Sequence, residues 1–527
     1  MKADASQEQR FIAEVDAFEF VARDVEPILH ALDAWLADLA GRLRDNALTC
    51  TGLKAQAEPA TRANAINALM QASALAWPRQ WADLAPAQAL ADAFADKALL
   101  LVFGKFNAGK SSFCNFLADR FAAHGRAVHY FHLEAGRIVE SPERFKEGAT
   151  ETTSRLQGVR PGDKLVLLDT PGLHSMTPEN AALTQRFIDS ADGVLWLTSS
   201  TSPGQVQELE DLGRELHRNK PLLPVLTRSD AYEEDEVNGE LVKVLCNKSA
   251  HNRAQQEADV KARAHEKLVA MGVNPALLKP PVSISAHVAR EQGQTPVAMT
   301  EAGFERLYGA LLDIIEPTLA YKRRKMAEIL LHHLEENVLG VLCEAVLPRL
   351  AELGAASQAA LDRLEQQEEE VANAVWRGVM PTLPGLLEKH SATRDVNAIC
   401  NALTQSISET FSREANARLA DYVITPDASL APFSLDSDAN FEDIVVDCTG
   451  ADGPRREVVG VDYARLHAAL GDAIQKHLRR LSRDSVEQCA AAIRRLVQAA
   501  TQLEIALQSS ERDLLDLKCK LRSDSIE

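Results

Sequence analysis

The sequence predicts an α/β domain, with a mostly parallel sheet and helices on both faces, inserted between N- and C-terminal helices that form an elongated bundle or stalk. Three observations predict it. Between residues 96 and 290, apolar runs of strand length alternate with helical patterns, the signature of βα units. The first of those runs leads into a glycine-rich loop and then a helical pattern, as a phosphate-binding loop requires. On either side the strand signal fades and apolar residues recur at helical spacing. At 527 residues the chain has room for about three to four domains. The expected segments are 1–95, helices of a neck or bundle; 96–318, the α/β domain; and 319–527, a helical stalk with an irregular acidic segment at about 422–460.

Residues 8–95 read as helices. Phe11, Ile12, Val15 and Phe18 recur at three- and four-residue spacing, and Leu29, Leu32, Leu36 and Leu39 continue the stripe. A second pattern runs from Ile66 through Leu69 and Met70 to Leu75, and Pro78 and Pro86 are expected to break it. These helices need a partner surface, expected from the C-terminal third. The strand candidates are 99–103, 156–159, 165–168, 194–197, 222–226 and 282–284. Ligands of open α/β sheets bind at the carboxyl ends of such strands. After residue 300 the reading is helical, with an interruption at Pro317, kinks or breaks at Pro348 and Gly354, and a turn at Pro381 and Pro384. In 461–523, Val486, Ile493, Ala500, Leu507, Leu514 and Leu521 recur every seven residues. Cys489, Leu496, Leu503 and Leu517 fall three later, with Ser510 the one polar residue of that second set. That seam serves an intramolecular bundle or, alternatively, a coiled coil between two chains.

Composition narrows the function. Hydrophobic residues make up 46% of the chain, enough for sizeable cores, and aromatics only 5%. The formal net charge of −19 repels phosphate backbones and anionic headgroups, so nucleic acid is not an expected partner and polybasic membrane attachment is disfavoured. Eight scattered cysteines show no metal-ligand spacing and read as reduced thiols. Without an apolar N-terminal core or a spanning run, the expected location is cytoplasmic, with peripheral attachment to a membrane as the alternative.

The loop reads Gly104-Lys105-Phe106-Asn107-Ala108-Gly109-Lys110-Ser111-Ser112 and fits G-x-x-x-x-G-K-[ST]. Glycines let the backbone wrap phosphate oxygens, and the amides of this stretch, those of Asn107 and Ala108 included, point at the anion. Lys110 would neutralise β- and γ-phosphate charge, and the Ser111 hydroxyl would ligate Mg²⁺. Downstream, Asp169-Thr170-Pro171-Gly172 fits D-x-x-G at a strand end. Asp169 would hold Mg²⁺ through water, and the Gly172 amide would sense the γ-phosphate. A Mg²⁺-ligating threonine should lie between these motifs; Thr153 is the first choice and Thr152 the second. Thr227-Arg228-Ser229-Asp230 matches the [NT]-K-x-D position with arginine for lysine. Its carboxylate would accept from guanine N1 and N2, a donor pair that adenine lacks. Ser285-Ala286 fits the loop beside guanine O6. The expected ligands are GTP or GDP with Mg²⁺.

G-K-F-N-A-G-K-S-S-F, D-T-P-G-L and L-T-R-S-D, in this order, resemble dynamin-superfamily GTPases, in particular bacterial dynamin-like proteins, among them the type implicated in enterotoxin output. The resemblance covers roughly 98–290 and implies Mg²⁺-dependent hydrolysis of GTP to GDP and phosphate. It further implies switch-loop changes passed to a helical stalk, self-assembly through the nucleotide face or the stalk, and a role in membrane or vesicle remodelling. The alternative is a GTP-controlled scaffold that binds protein partners. Asn107 stands where that family often has a serine that helps the catalytic water, so Asn107 joins Lys110, Thr153 and Gly172 as a catalytic candidate. Leu173 follows Gly172, as in the dynamin type, where Ras-type enzymes carry glutamine.

Overall fold

The computed structural model describes residues 6–19, 25–82, 94–105, 107–134, 137–147, 156–169, 190–201, 206–237, 240–424, 432–435, 438–450 and 453–523. The chain forms two compact units, one of residues 1–34, 77–335 and 516–527, the other of 35–76 and 336–515.

The first unit is built on an eight-stranded sheet. Its strands are β1 (Ala98–Phe103), β2 (Val128–Glu134), β3 (Arg137–Ser141), β4 (Gln157–Pro161), β5 (Leu165–Asp169), β6 (Gly193–Ser199) and β7 (Leu222–Thr227). After the separate hairpin of β8 (Asp230–Val237) and β9 (Glu240–Asn247), β10 (Val282–Ser283) completes it. The order is β10-β7-β6-β1-β5-β4-β2-β3. From β10 to β5 all neighbours are parallel, and β4, β2 and β3 extend that sheet antiparallel.

Period-2 alternation explains why β1, β5, β6 and β7 read as unbroken apolar runs: both faces are covered. Leu100 and Val102 face a core with Leu167, Leu195 and Val225, closed by Phe11 and Val15 of the first helix, Phe113 and Phe116, and Phe304 and Leu311. Leu99 and Leu101 face the other core with Val166, Trp196 and Leu226, closed by Leu209, Val260 and Leu268.

Several expectations change. The helix Gln7–Asp16 finds its partner inside the first unit: Phe11 lies 5.7 Å from the Tyr308 ring, and Glu8 takes a two-pronged ion pair from Arg120 at 2.6 and 2.9 Å. Residues 35–76, by contrast, do meet the C-terminal third, where Trp35 donates to the Ser510 carbonyl at 3.0 Å and Arg62 pairs with Glu352 at 2.8 Å. Pro78, Pro317 and Pro348 lie inside helices Glu58–Ala82, Phe304–His333 and Val341–Val379, so none of them ends its helix. A proline removes one hydrogen bond, and the burial of Tyr308, Leu311, Ile314 and Tyr321 around Pro317 outweighs that loss. Gly354, expected as a kink or break, likewise lies inside the helix Val341–Val379, which a π-helix, Leu334–Gly340, precedes.

In the second unit the stretch expected to be irregular holds an antiparallel ribbon, β11 (Glu442–Gly450) and β12 (Gly453–Asp462), with a bulge opposite Ile444 and Val445. Its β-branched runs were hidden by the Asp, Gly and Pro residues around them. The heptad seam is buried in the helix Ala464–Arg522: Ile493, Leu496, Leu503, Leu507 and Leu514 are all at most 1% exposed. Its polar position is used as well, since Ser510 Oγ accepts from Arg42 at 3.3 Å. Among the described residues, no helix is long and apolar enough to cross a membrane.

Candidate nucleotide site

The phosphate-binding loop joins β1 to the helix Lys110–Ala123. Gly104 has φ +151°, and a Cβ there would sit 2.1 Å from the Leu197 carbonyl oxygen, so only glycine fits. Gly109, at φ +84°, is the N-cap of the helix, and Asn107 adopts φ +64°. These turns fold the loop over its own lysine. Lys110 Nζ donates to the carbonyls of Gly104 at 2.7 Å and Lys105 at 3.1 Å. Burial pulls the Lys110 ammonium below its ordinary pKa, against the attraction of Asp169 and Glu208. The first amides of a helix have no partner within it, so those following Gly109 are donors for an anion.

Ser111 and Asp169 come together as their motifs require. Ser111 Oγ donates to Asp169 Oδ2 at 2.6 Å, and Gln157 Nε2 donates to the same oxygen at 2.8 Å. Asp169 Oδ1 is buried with no hydrogen-bond partner. A hydroxyl beside an orphaned carboxylate oxygen is a donor set suited to Mg²⁺, which prefers oxygen. Among the described residues there is no cluster of three or more His, Cys, Asp or Glu that could hold a metal, so such an ion would draw on phosphate oxygens as well. Thr153, Thr152 and Gly172 lie outside the described residues, as does Phe106.

Burial pushes the Asp169 carboxyl above the usual range, against the hydrogen bonds from Ser111 and Gln157. A carboxylate raised in this way favours the folded state below its unfolded pKa, and that contribution is lost as pH rises through the folded value. Near neutral pH its charge is therefore a cost in the nucleotide-free protein. Asp169→Asn keeps an oxygen for Ser111 and Gln157 and removes the charge. The expected result at pH 7 is loss of the extra stabilisation that Mg²⁺ gives in the presence of GDP. A thermal melt with GDP, with and without Mg²⁺, checks this, and an undiminished Mg²⁺-dependent shift refutes it.

The guanine-type loop follows β7. Thr227 Oγ1 donates to the Ala108 carbonyl at 2.7 Å, which ties this loop to the phosphate loop. Arg228 sits at φ +54° with its side chain exposed, and its carbonyl accepts from Ser200 Oγ. Asp230 Oδ2 accepts from Ser285 Oγ, and Ser285 caps the helix Ala286–Glu291, accepting from the Val288 amide at 3.2 Å. Asp230 and the Ser285-Ala286 pair are thus brought together at neighbouring strand ends, and Thr227 joins them to the phosphate loop.

Four further residues shape the site. Glu208, 6% exposed, accepts from the Lys105 amide at 3.1 Å and the Trp196 indole at 3.2 Å, bracing the start of the phosphate loop. Burial pushes its carboxyl up, against the Trp196 hydrogen bond. Arg253 donates to the Ser229 carbonyl at 3.0 Å and to Asn247 Oδ1 at 2.8 Å. Lys248 donates to Ser200 Oγ at 2.9 Å and, through its amide, to the Ser229 carbonyl at 3.0 Å. Gln157, the fourth, pairs with Asp169 across β4 and β5. None belongs to a local motif. The hairpin β8–β9 returns the chain to Asp230, since Asn247 is the register partner of that residue.

Residues 99–228 match the family described as 50S ribosome-binding GTPase, so the α/β unit contains a GTPase domain. Among solved structures, the bacterial dynamin GTPase LeoA from ETEC is similar over 98% of both chains, at 12% identity and a TM-score of 0.29. An oligomerised bacterial dynamin pair, described as sensing and tethering membranes, covers 86% of this chain and 82% of its own at 12% identity and a TM-score of 0.30. Elongation factor SelB of Methanococcus maripaludis with a GTP analogue matches 42% of this chain and 34% of its own, at 15% identity and a TM-score of 0.23. A curated Acinetobacter baylyi sequence, named only as an uncharacterized protein, is 44% identical over 497 residues, 94% of this chain and 95% of its own length. Identity of that extent over nearly the whole of both chains places this protein in one family with the Acinetobacter baylyi protein.

Proposed function

We propose that the protein is a Mg²⁺-dependent GTPase of the dynamin type, hydrolysing GTP to GDP and phosphate and passing the change to its helical unit. The carrying observation is the meeting of Lys110, the Ser111–Asp169 pair and the Asp230–Ser285 pair around loops that Thr227 and Ala108 join. Lys110 and the loop amides would hold the β- and γ-phosphates, and Asp230 would take the guanine N1 and N2 donors. Ser111 and Asp169 would hold Mg²⁺, which would supply positive charge against the phosphate oxygens. From the family resemblance, Thr153 and Gly172 close on the γ-phosphate, Asn107 orients water, and two copies meet across the nucleotide face. GTP turnover measured against protein concentration tests this: a rising specific activity supports assembly-coupled hydrolysis, and no turnover at any concentration ends the proposal.

For the helical unit, membrane or vesicle remodelling is the first reading. It is favoured by the β11–β12 ribbon, which exposes Ile444, Val445, Val446, Val458 and Val459 by 44–57%. The same ribbon carries Asp443, Asp447, Glu457 and Asp462 on a chain of net charge −19, which favours a protein partner, the scaffold reading. Co-sedimentation with neutral and anionic vesicles plus GTP analogue separates them. Pelleting that Val458→Asp abolishes is the outcome expected for remodelling; protein left in the supernatant on both vesicle types excludes it.

A further inference from the structure

The helix Ala250–Ala270, which follows β9, sends two side chains one turn apart to the two loops that hold Asp230 and Ser285. Arg253 and Glu257 are both buried, a setting in which charged groups persist only with partners. Arg253 Nη2 donates to the Ser229 carbonyl at 3.0 Å and to Asn247 Oδ1 at 2.8 Å, and Nη1 donates to the Glu301 carbonyl at 2.7 Å. Ser229 immediately precedes Asp230, and Asn247 pairs with Asp230 across the hairpin, so one guanidinium holds the root of β8–β9 on both strands. Glu257 Oε1 accepts from the Ser283 amide at 2.8 Å, two residues before Ser285. Arg306 holds that carboxylate with both prongs of its fork, at 3.1 Å to Oε1 and 2.6 Å to Oε2.

Segment 301–303 closes the frame. The Ala302 carbonyl accepts from the Ser285 amide at 3.0 Å. Gly303, at φ +89°, lies so close to β10 that a Cβ there would sit 2.1 Å from the Ser283 carbonyl oxygen. It is also the N-cap of the helix Phe304–His333, which carries Arg306. The two loops touch directly where the Ser229 amide donates to the Ile284 carbonyl at 3.0 Å. One hydrogen bond fixes a distance and leaves rotation about it free. Arg253 on one loop and Glu257 on the other, carried by a single helix, supply the further points that remove this rotation.

We propose that Arg253 and Glu257 are positioning residues for base selectivity: together they set the distance and angle between Asp230 and Ser285, and so decide whether the Asp230 carboxylate meets both guanine N1 and N2. The inference rests on the GTPase reading above. Ser285 Oγ donates to Asp230 Oδ2, so the carboxylate takes its position from the loop after β7 and its orientation from the loop after β10. A relative shift of the two loops that leaves N1 within reach misaligns the contact to N2, because hydrogen bonds weaken steeply with angle. The 2-amino group is the one feature that separates guanine from hypoxanthine, so selectivity between these two bases reports the frame. Lys110 and Ser111 belong to a different loop, and their phosphate contacts are common to both nucleotides.

The test uses the full chain with Mg²⁺ and measures the affinities of GDP and of inosine diphosphate, which lacks only the 2-amino group. Wild-type protein is expected to prefer GDP by about tenfold or more. Arg253→Met and Glu257→Met are each expected to weaken GDP about tenfold and inosine diphosphate by no more than about threefold, so the preference narrows. Glu257→Gln, which keeps an acceptor for the Ser283 amide, is expected to retain more of the preference than Glu257→Met. A variant that is only partly folded loses affinity for both nucleotides by one factor, so the ratio separates positioning from stability. If Arg253→Met does not fold, Arg253→Lys, which keeps the charge and loses the fork, decides on the same ratio. A wild-type ratio in these variants overturns the inference, as does wild-type protein that binds the two nucleotides equally. Wild-type protein that binds neither nucleotide refutes the GTPase reading itself.

Discussion

Lys110→Ala is expected to lower kcat for GTP by at least ~10²–10³-fold, the usual loss when a single donor to transition-state charge is removed from a closed site. Two features make the loss large here. The ammonium is fixed in advance, held by the Gly104 and Lys105 carbonyls over a loop whose glycine cannot be replaced. The lysine is also half-buried, and burial pulls its ammonium below its ordinary pKa. Removing it strips two carbonyls of a charged donor, so nucleotide affinity should fall with turnover. Lys110→Met, which keeps the aliphatic stem, separates chemistry from folding: its Tm should stay near wild type while turnover is lost. Unchanged turnover in either variant means the site is misplaced.

What was legible in the sequence was what chemistry or double burial forces on the chain. The loop needs Gly104 and Gly109 at positive φ and sets Lys110 and Ser111 at the start of the helix that follows, and these residues stand out in the motif. Strands β1, β5, β6 and β7 were legible because both faces are covered. Strands β2 and β3 and the hairpin β8–β9 were not. β2, reading His129-Tyr130-Phe131-His132, mixes polar and aromatic residues at the antiparallel end of the sheet, and β8 carries Glu233, Glu234, Asp235 and Glu236. The ribbon β11–β12 was read as irregular because its short Val and Ile runs are flanked by turn formers and are half-exposed rather than buried.

The supporting groups were illegible for another reason. Glu208 meets the Lys105 amide 103 residues away, and Arg306 meets Glu257 across 49. No local spacing encodes such pairs; topology alone brings them together. The prolines show the reverse case, since Pro317 is a strong local signal that the buried face of its helix overrides. The motif residues therefore stand out locally, whereas the residues that hold them in place come from the packing of elements distant in sequence.

Asp230→Asn is expected to invert base preference. In the protein, Asp230 Oδ2 accepts from Ser285 Oγ, which aims the carboxylate beside the capped start of the helix Ala286–Glu291. An ionised carboxylate only accepts, so it suits guanine, whose N1 and N2 both donate. Asparagine offers one acceptor and one donor. Against guanine, its amide N–H faces the N2 donor, a charge-assisted bond is lost, and two donors oppose each other. The cost of about 3 kcal/mol corresponds to roughly a hundredfold weaker GTP binding. Xanthine carries an N1–H donor and an O2 acceptor, which match the asparagine pair, so xanthosine triphosphate should gain by a similar factor. The phosphate contacts at Lys110 and Ser111 are untouched, so turnover with the xanthine nucleotide should return toward the wild-type rate with GTP. Competition of the two triphosphates for the variant measures this directly. If Asp230→Asn binds GTP as tightly as wild type, Asp230 does not read the base, and guanine specificity must be sought elsewhere in the loop.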